Sequence, residues 1–172
     1  MNNSLTDFKI GGRFKFEQIR DGKVIDSWED KNLIVDQGLN YTLNAALSNG
    51  TVSTTWYLGV FKNNYTPIAA DVMATFPGSG VANEVTTDYS ESTRPLWVDA
   101  GAVSQSITNN ASPASFSFTT TSTTVYGAFL SSSNVKGGTT GTLFAASKFS
   151  ASRTLLAGDT LNVVYTVNSS SI

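Results

Sequence analysis

Histidine and cysteine are both absent from the 172 residues, proline occurs only 4 times, and charged residues make up just 14% of the chain. Without histidine there is no Ser-His relay, no imidazole base poised near neutral pH and no usual zinc site. Without cysteine there is no thiolate nucleophile or metal ligand, and no disulfide from which to read a redox compartment. A net charge of −2 and a pI near 4.9 leave no basic stripe for phosphates, so no nucleic-acid partner is expected. No apolar run reaches transmembrane length, and "MNNSLTDFKIGGRFKF" lacks the apolar core of a signal peptide. The expectation is a chain that is cytosolic when made, has no membrane partner and carries no cofactor. What replaces the missing charge is hydroxyl: 22 Ser and 22 Thr, about a quarter of the residues. A surface of that kind suits β-structure that ends up covered by partners, since free monomers usually stay soluble with more charge.

The few charges are unevenly placed. Thirteen of the 24 lie between Asp7 and Asp36, and the last seventy residues hold only Lys136, Lys148, Arg153 and Asp159. The size fits one domain, divided by charge into an N-terminal arm, residues 1–30, and a nearly uncharged body, residues 31–172. In the arm, "RFKFEQI" alternates, "RDGK" supplies an Asp21-Gly22 turn and "VIDSWED" returns, which predicts a hairpin. A lone hairpin is marginal in water, so Phe14, Phe16, Val24 and Trp28 must be covered by the body or by a neighbouring subunit.

The stretch "KNLIVDQGLNYTLNAALSNG" predicts one helix among strands. Asp36 is placed to cap it, Asn49-Gly50 to close it, and Leu39, Leu43, Ala46 and Leu47 to form an apolar face turned onto the sheet as a lid. Strands are predicted at "TWYLGVFK", "EVTTDYS", "RPLWVDAG", "AVSQSIT", "SFSFTTT", "TVYGAFLSS", "TLFAASKF" and "LNVVYTV", with a second short helix at "PIAADVMATF". Many short strands separated by Gly, Asn, Pro and Asp turns predict a mainly β chain, an antiparallel, jelly-roll-like sandwich with one short helix.

Several groupings invite chemistry. Glu84, Asp88, Glu91 and Asp99 resemble a glycosidase acid/base pair in composition, but solvated carboxylates are the plainer reading. "GGTTG", Gly137 to Gly141, lacks the Lys-Ser/Thr ending of a phosphate cradle and reads as a hairpin loop. Asp159 after Gly158 is expected to fold its carboxylate onto local N–H groups; no acidic ligands are spaced around it for calcium. Trp28, Trp56 and Trp97 fit core better than a sugar-stacking platform. Tyr89, Arg94 and Trp97, in "DYSESTRPLWV", could stack as a cation–π cluster or meet a partner. The candidate partner interface is accordingly Phe14, Phe16, Trp28, Arg94 and Trp97, with no catalytic, cofactor-binding or metal residues.

The order of landmarks adds a family likeness. "KNLIVDQGLNYTLNAAL", "TWYLGVFKN", "DYSESTRPLWV", "TVYGAFLSSSNVKGGTTGTLFAASKF" and "LLAGDTLNVVYTV" together resemble a family of tailed-bacteriophage virion structural proteins, over nearly the whole chain from Lys31 onward. The resemblance implies a non-enzymatic virion component, foremost a capsid decoration or cement protein that binds the major capsid protein on the capsid surface as a homo-oligomer, a dimer or trimer. A tail- or fibre-associated protein and a host-glycan-binding module are the alternatives, with a cell-wall-cleaving enzyme the weakest.

Overall fold

Strand pairing in the computed structural model, which describes residues 8–171, follows the alternation of the sequence. β1 (Phe8–Arg20) and β2 (Lys23–Lys31) form the expected hairpin, with Asp21 and Gly22 both at positive φ, 50° and 72°, in the turn. That backbone twist matches the twist of the strands it joins. The hairpin is not an arm, however: β1 lies between β2 and β10 (Thr160–Ser171), paired with β10 from Phe8↔Ser171 to Ile19↔Thr160. β6 (Ser106–Thr108) and β7 (Ala114–Ser117) share the other edge of β10 and complete the first sheet. Residues 1–7 of the proposed arm lie outside the described residues. The division at residue 30 therefore cuts through a sheet, and the structure corrects it.

The second sheet has the order β3-β9-β8-β4-β5, from β3 (Leu33–Ile34), β4 (Trp56–Phe61), β5 (Leu96–Trp97), β8 (Thr123–Ser131) and β9 (Leu143–Leu155). All pairings are antiparallel, and the two sheets make the expected β-sandwich. Between them lies the main core, in which Phe14, Phe16, Trp28, Leu161, Val163 and Tyr165 of the first sheet meet Leu58, Val60, Leu130 and Phe149 of the second. Register explains the selection: Phe16 sits opposite both Val163 and Trp28, so the same face of three adjacent strands points inward.

The second sheet is covered on its other face too. Phe61, Phe129 and Ala146 pack there with Met73, Phe76 and Ala82 of the long excursion between β4 and β5. Burial on both sides explains why "WYLGVF" and "GAFLS" read as continuous apolar runs instead of alternating. That excursion holds two corrections. "PIAADVMATF" is a series of turns, fixed where the Asp71 carboxylate accepts from Ile68 N–H at 2.8 Å and from the Tyr65 hydroxyl at 2.8 Å. "EVTTDYS" contributes only single bridges, Phe61↔Glu84 and Tyr89↔Phe118.

The helix, α1 (Asp36–Leu47), is present where expected but turned around. Val35, extended at φ −78° and ψ 162°, takes the cap position and no side chain caps it, so Asp36 is the first helical residue, not the cap. Its carboxylate still favours the first turn through the helix dipole. Asn49, at φ 47°, closes the other end, with Ser48 and Gly50 N–H both donating to the Asn44 carbonyl at 3.1 Å. The inward face is Gly38, Tyr41, Thr42 and Ala45, not the leucines. The cause is Gly38: it lies so close to β9 that a Cβ there would overlap the Phe144 carbonyl. At that separation only small side chains fit beneath the helix. Gln37 fixes the pose, its Oε1 accepting from Leu143 N–H at 2.8 Å and Met73 N–H at 2.9 Å.

Candidate docking site

The five residues expected at a partner interface are all buried within the chain. Phe14 stacks on Tyr165 with centroids 4.2 Å apart, and Phe16 lies 5.1 Å from Trp28 and 4.5 Å from Phe149. Trp28 is covered in turn by the Arg153 guanidinium, 4.5 Å above its ring. Trp97 donates its indole N–H to the Tyr165 carbonyl at 3.0 Å. Phe14, Phe16 and Trp28 are core for the reason that made them look like an interface: a hairpin that cannot stand alone turns its apolar face into the sandwich.

Arg94 is a fully buried cation. Its Nε and Nη2 donate to the two carboxylate oxygens of Glu84, both at 2.7 Å, and it also donates to the Ser133 and Gly138 carbonyls at 2.9 and 3.2 Å. Gly137 N–H donates to Glu84 Oε2 at 2.7 Å, so the amide of the glycine loop is occupied by the protein's own carboxylate. The pair fastens the β8–β9 loop to the excursion and faces no solvent. No Tyr89-Arg94-Trp97 cluster forms: Arg94 lies over Phe129, and Lys136 lies over Tyr89 at 3.6 Å. Burial, with Glu84 adding to it, pushes the Tyr89 hydroxyl pKa up.

The other carboxylates do not converge either. Glu91 accepts from Ser117 N–H at 3.0 and 3.2 Å, and Asp99 from Gly101 N–H at 2.9 Å. Among the described residues no three acidic side chains come together as a metal group. Asp159 does fold onto a local amide, Leu156 N–H at 2.9 Å, and is further held by Arg20 at 2.6 and 2.8 Å and by Gln18 at 2.7 Å. Arg20 in that ion pair holds the Asp159 carboxyl down at about 2, against the opposing effect of burial and with help from Leu156 and Gln18.

Among the exposed apolar side chains, those at the end of the sandwich beside α1 form a regular line. Leu39, Leu43 and Leu47 are exposed at 37%, 55% and 81%, in one line at intervals of four residues. Thr42, on the adjoining face, borders an apolar cleft of about 220 Å³ to which both sheets contribute. Trp56, Leu130 and Phe144 come from the second sheet, Ile10, Ile107 and Val167 from the first, and Tyr41 from the helix. Tyr41 and Phe144 meet Trp56 edge-on at 5.0 and 5.4 Å, so Trp56 is a wall of this cleft and not a flat platform on a sheet face. Both hydroxyls in its lining are engaged: the Tyr41 hydroxyl accepts from Ser53 N–H at 2.7 Å, and Thr42 Oγ1 donates to the Gly38 carbonyl at 3.0 Å. No residue from Gln37 to Phe61 is charged.

Sequence reasoning did not locate this end. The available signal was the spacing of Gly38, Thr42 and Ala45, small residues recurring at helical intervals opposite the leucines, which marks the face of closest approach. No helix among the described residues is long and apolar enough to cross a membrane. No protein-family model matches the chain, and no curated protein matches it.

Proposed function

We propose that the protein is a non-enzymatic virion component of a tailed bacteriophage, a capsid decoration protein that binds the major capsid protein lattice through the α1 end of its sandwich. The observation that carries the binding part of this reading is the line of exposed leucines, Leu39, Leu43 and Leu47, on a well-seated helix beside an apolar cleft. Contiguous apolar surface of this kind on a soluble domain is the ordinary mark of a docking face. The virion part rests on the landmark order quoted from the sequence.

The face is built on one twelve-residue helix and its adjoining cleft. Such a contact suits a partner met in many copies. A dimer or trimer would present two or three faces to the lattice and multiply a weak single contact. A protein that binds the assembled shell and not its free subunits stabilises the shell by mass action. The deciding experiment is quantitative mass spectrometry of purified particles. A copy number near that of the shell protein, or a simple fraction of it, is expected; a handful of copies moves the protein to the tail, and absence removes the virion reading.

A further inference from the structure

We infer that the cleft beside α1 is a socket for one neutral, apolar side chain of leucine to aromatic size, carried by a partner polypeptide whose flanking residues lie along Leu39, Leu43 and Leu47. The inference rests on the docking reading above and names the chemistry of the contact.

Size is the first constraint. A volume of about 220 Å³ falls below the ~300–1,000 Å³ of small-molecule sites, whereas an apolar cavity of ~150 Å³ already accepts benzene. One ring or one branched aliphatic group fills it. Polarity is the second. The Trp97 indole N–H is committed to the Tyr165 carbonyl, the Tyr41 hydroxyl to Ser53 and the Thr42 hydroxyl to Gly38, so of the side-chain donors lining the cleft the Trp56 indole N–H alone has no protein acceptor, too little to orient a strongly polar ligand. Charge is the third. No residue lining the cleft is charged, and the run from Gln37 to Phe61, which holds α1 after Asp36 as well as Trp56, is uncharged, so a cation or carboxylate entering the cleft would lose its hydration and find no counter-charge in its walls. A neutral group alone enters without that cost.

Continuity selects a polypeptide over a free small molecule. Thr42 lines the cleft, and Leu39 and Ala46, three residues before it and four after, are its neighbours on the helix surface. Leu43 and Leu47 extend the line away from the opening. A small molecule would leave the leucines bare, while a chain inserting one side chain covers them with its next residues. This is the arrangement of a buried anchor with a surrounding apolar rim.

Three titrations and one binding assay test it on the full-length protein. Toluene serves as the neutral probe and benzylammonium and benzoate as charged ones, followed by NMR at the Trp56 indole N–H and the Thr42 methyl. Saturable, millimolar shifts with toluene are expected, at least tenfold weaker with either ion. Thr42→Phe and, independently, Ile107→Phe fill the cleft from opposite sides and should each abolish the toluene shifts. Both should also weaken binding to particles stripped of this protein at least tenfold. No saturation by toluene, or undiminished particle binding by a folded filled variant, overturns the socket. If toluene binds and is lost on filling, but the wild-type protein does not bind particles, the socket stands and the lattice is removed as its partner. A neutral small molecule from the host that binds at micromolar affinity without displacing the protein from particles overturns the side-chain occupant.

Discussion

The hairpin and the helix end of the sandwich exchange the roles that their compositions suggest. The hairpin carries 11 of the 24 charged residues, yet four of the five ion pairs among the described residues involve it and close within the chain: Arg13–Glu29, Lys15–Glu17, Arg20–Asp159 and Arg153–Asp26. Phe14, Phe16 and Trp28 are core, while Phe8 and Val24, the latter expected to be covered, are exposed. In α1 only Asp36, its first residue, is charged, and the helix has the most regular apolar spacing, yet three of its leucines face solvent. In the hairpin much of the charge is engaged in contacts within the chain, whereas the leucine stripe of α1 is left without any.

Removing the hairpin gives the largest expected effect. Deleting residues 1–30 takes away β1, the strand between β2 and β10, and with it Phe14, Phe16 and Trp28. Loss of a single buried aromatic costs ~3–5 kcal/mol, a large part of a typical domain's stability. The truncated chain should show no cooperative thermal transition; a soluble, cooperatively melting body would restore the hairpin as a separable arm.

Arg94 sharpens the contrast, because it is charge outside the hairpin that is wholly enclosed. Arg94→Met leaves the Glu84 carboxylate buried with only the Gly137 amide, and breaking such a pair costs ~3–5 kcal/mol. Arg94→Met with Glu84→Gln should recover most of that loss. Denaturant midpoints of the two variants decide it: if both fall equally, the cost lies in packing and not in the orphaned charge.

Asp159 tests the tie between hairpin and body through pH. Its carboxyl is lowered in the folded chain from 3.8 to about 2, so its contribution is complete above the unfolded value and is lost as pH falls through the folded one. With Arg20 partly exposed and screened, the contribution is about 1–2 kcal/mol. Melting temperature should drop between pH 4 and 2, and Asp159→Asn should flatten that window while lowering stability at neutral pH. An unchanged slope would mean that other carboxylates carry the acid sensitivity.

The sandwich, the Asp21-Gly22 hairpin, the helix span and its Asn49 closure were legible because each is set by local pattern. The helix orientation was not. Leu39, Leu43 and Leu47 give a clear stripe, but periodicity specifies only that one face differs from the other. Which face turns inward was decided by how near Gly38 comes to Phe144, a contact more than a hundred residues away in sequence. The same holds for Arg94, whose partner Glu84 and loop carbonyls are gathered by an excursion without regular structure. The aromatic pattern of β1 and β2 showed a face needing cover but not that β10 supplies it from the far end of the chain.

The smallest expected effect on stability is the sharpest test of the helix end. Leu43→Ser and Leu47→Ser alter side chains that are 55% and 81% exposed, and surface changes of this kind stay within ~0.5 kcal/mol. If the leucines faced the core, as their spacing alone implies, each substitution would cost ~2–5 kcal/mol, comparable to a core truncation. The two orientations therefore differ by well over the error of a melting curve. Unchanged melting of both variants, together with weakened particle binding, places the stripe on the outside and in contact with a partner. Unchanged melting with unchanged binding leaves the leucines exposed but idle, and a drop of several degrees returns them to the interior.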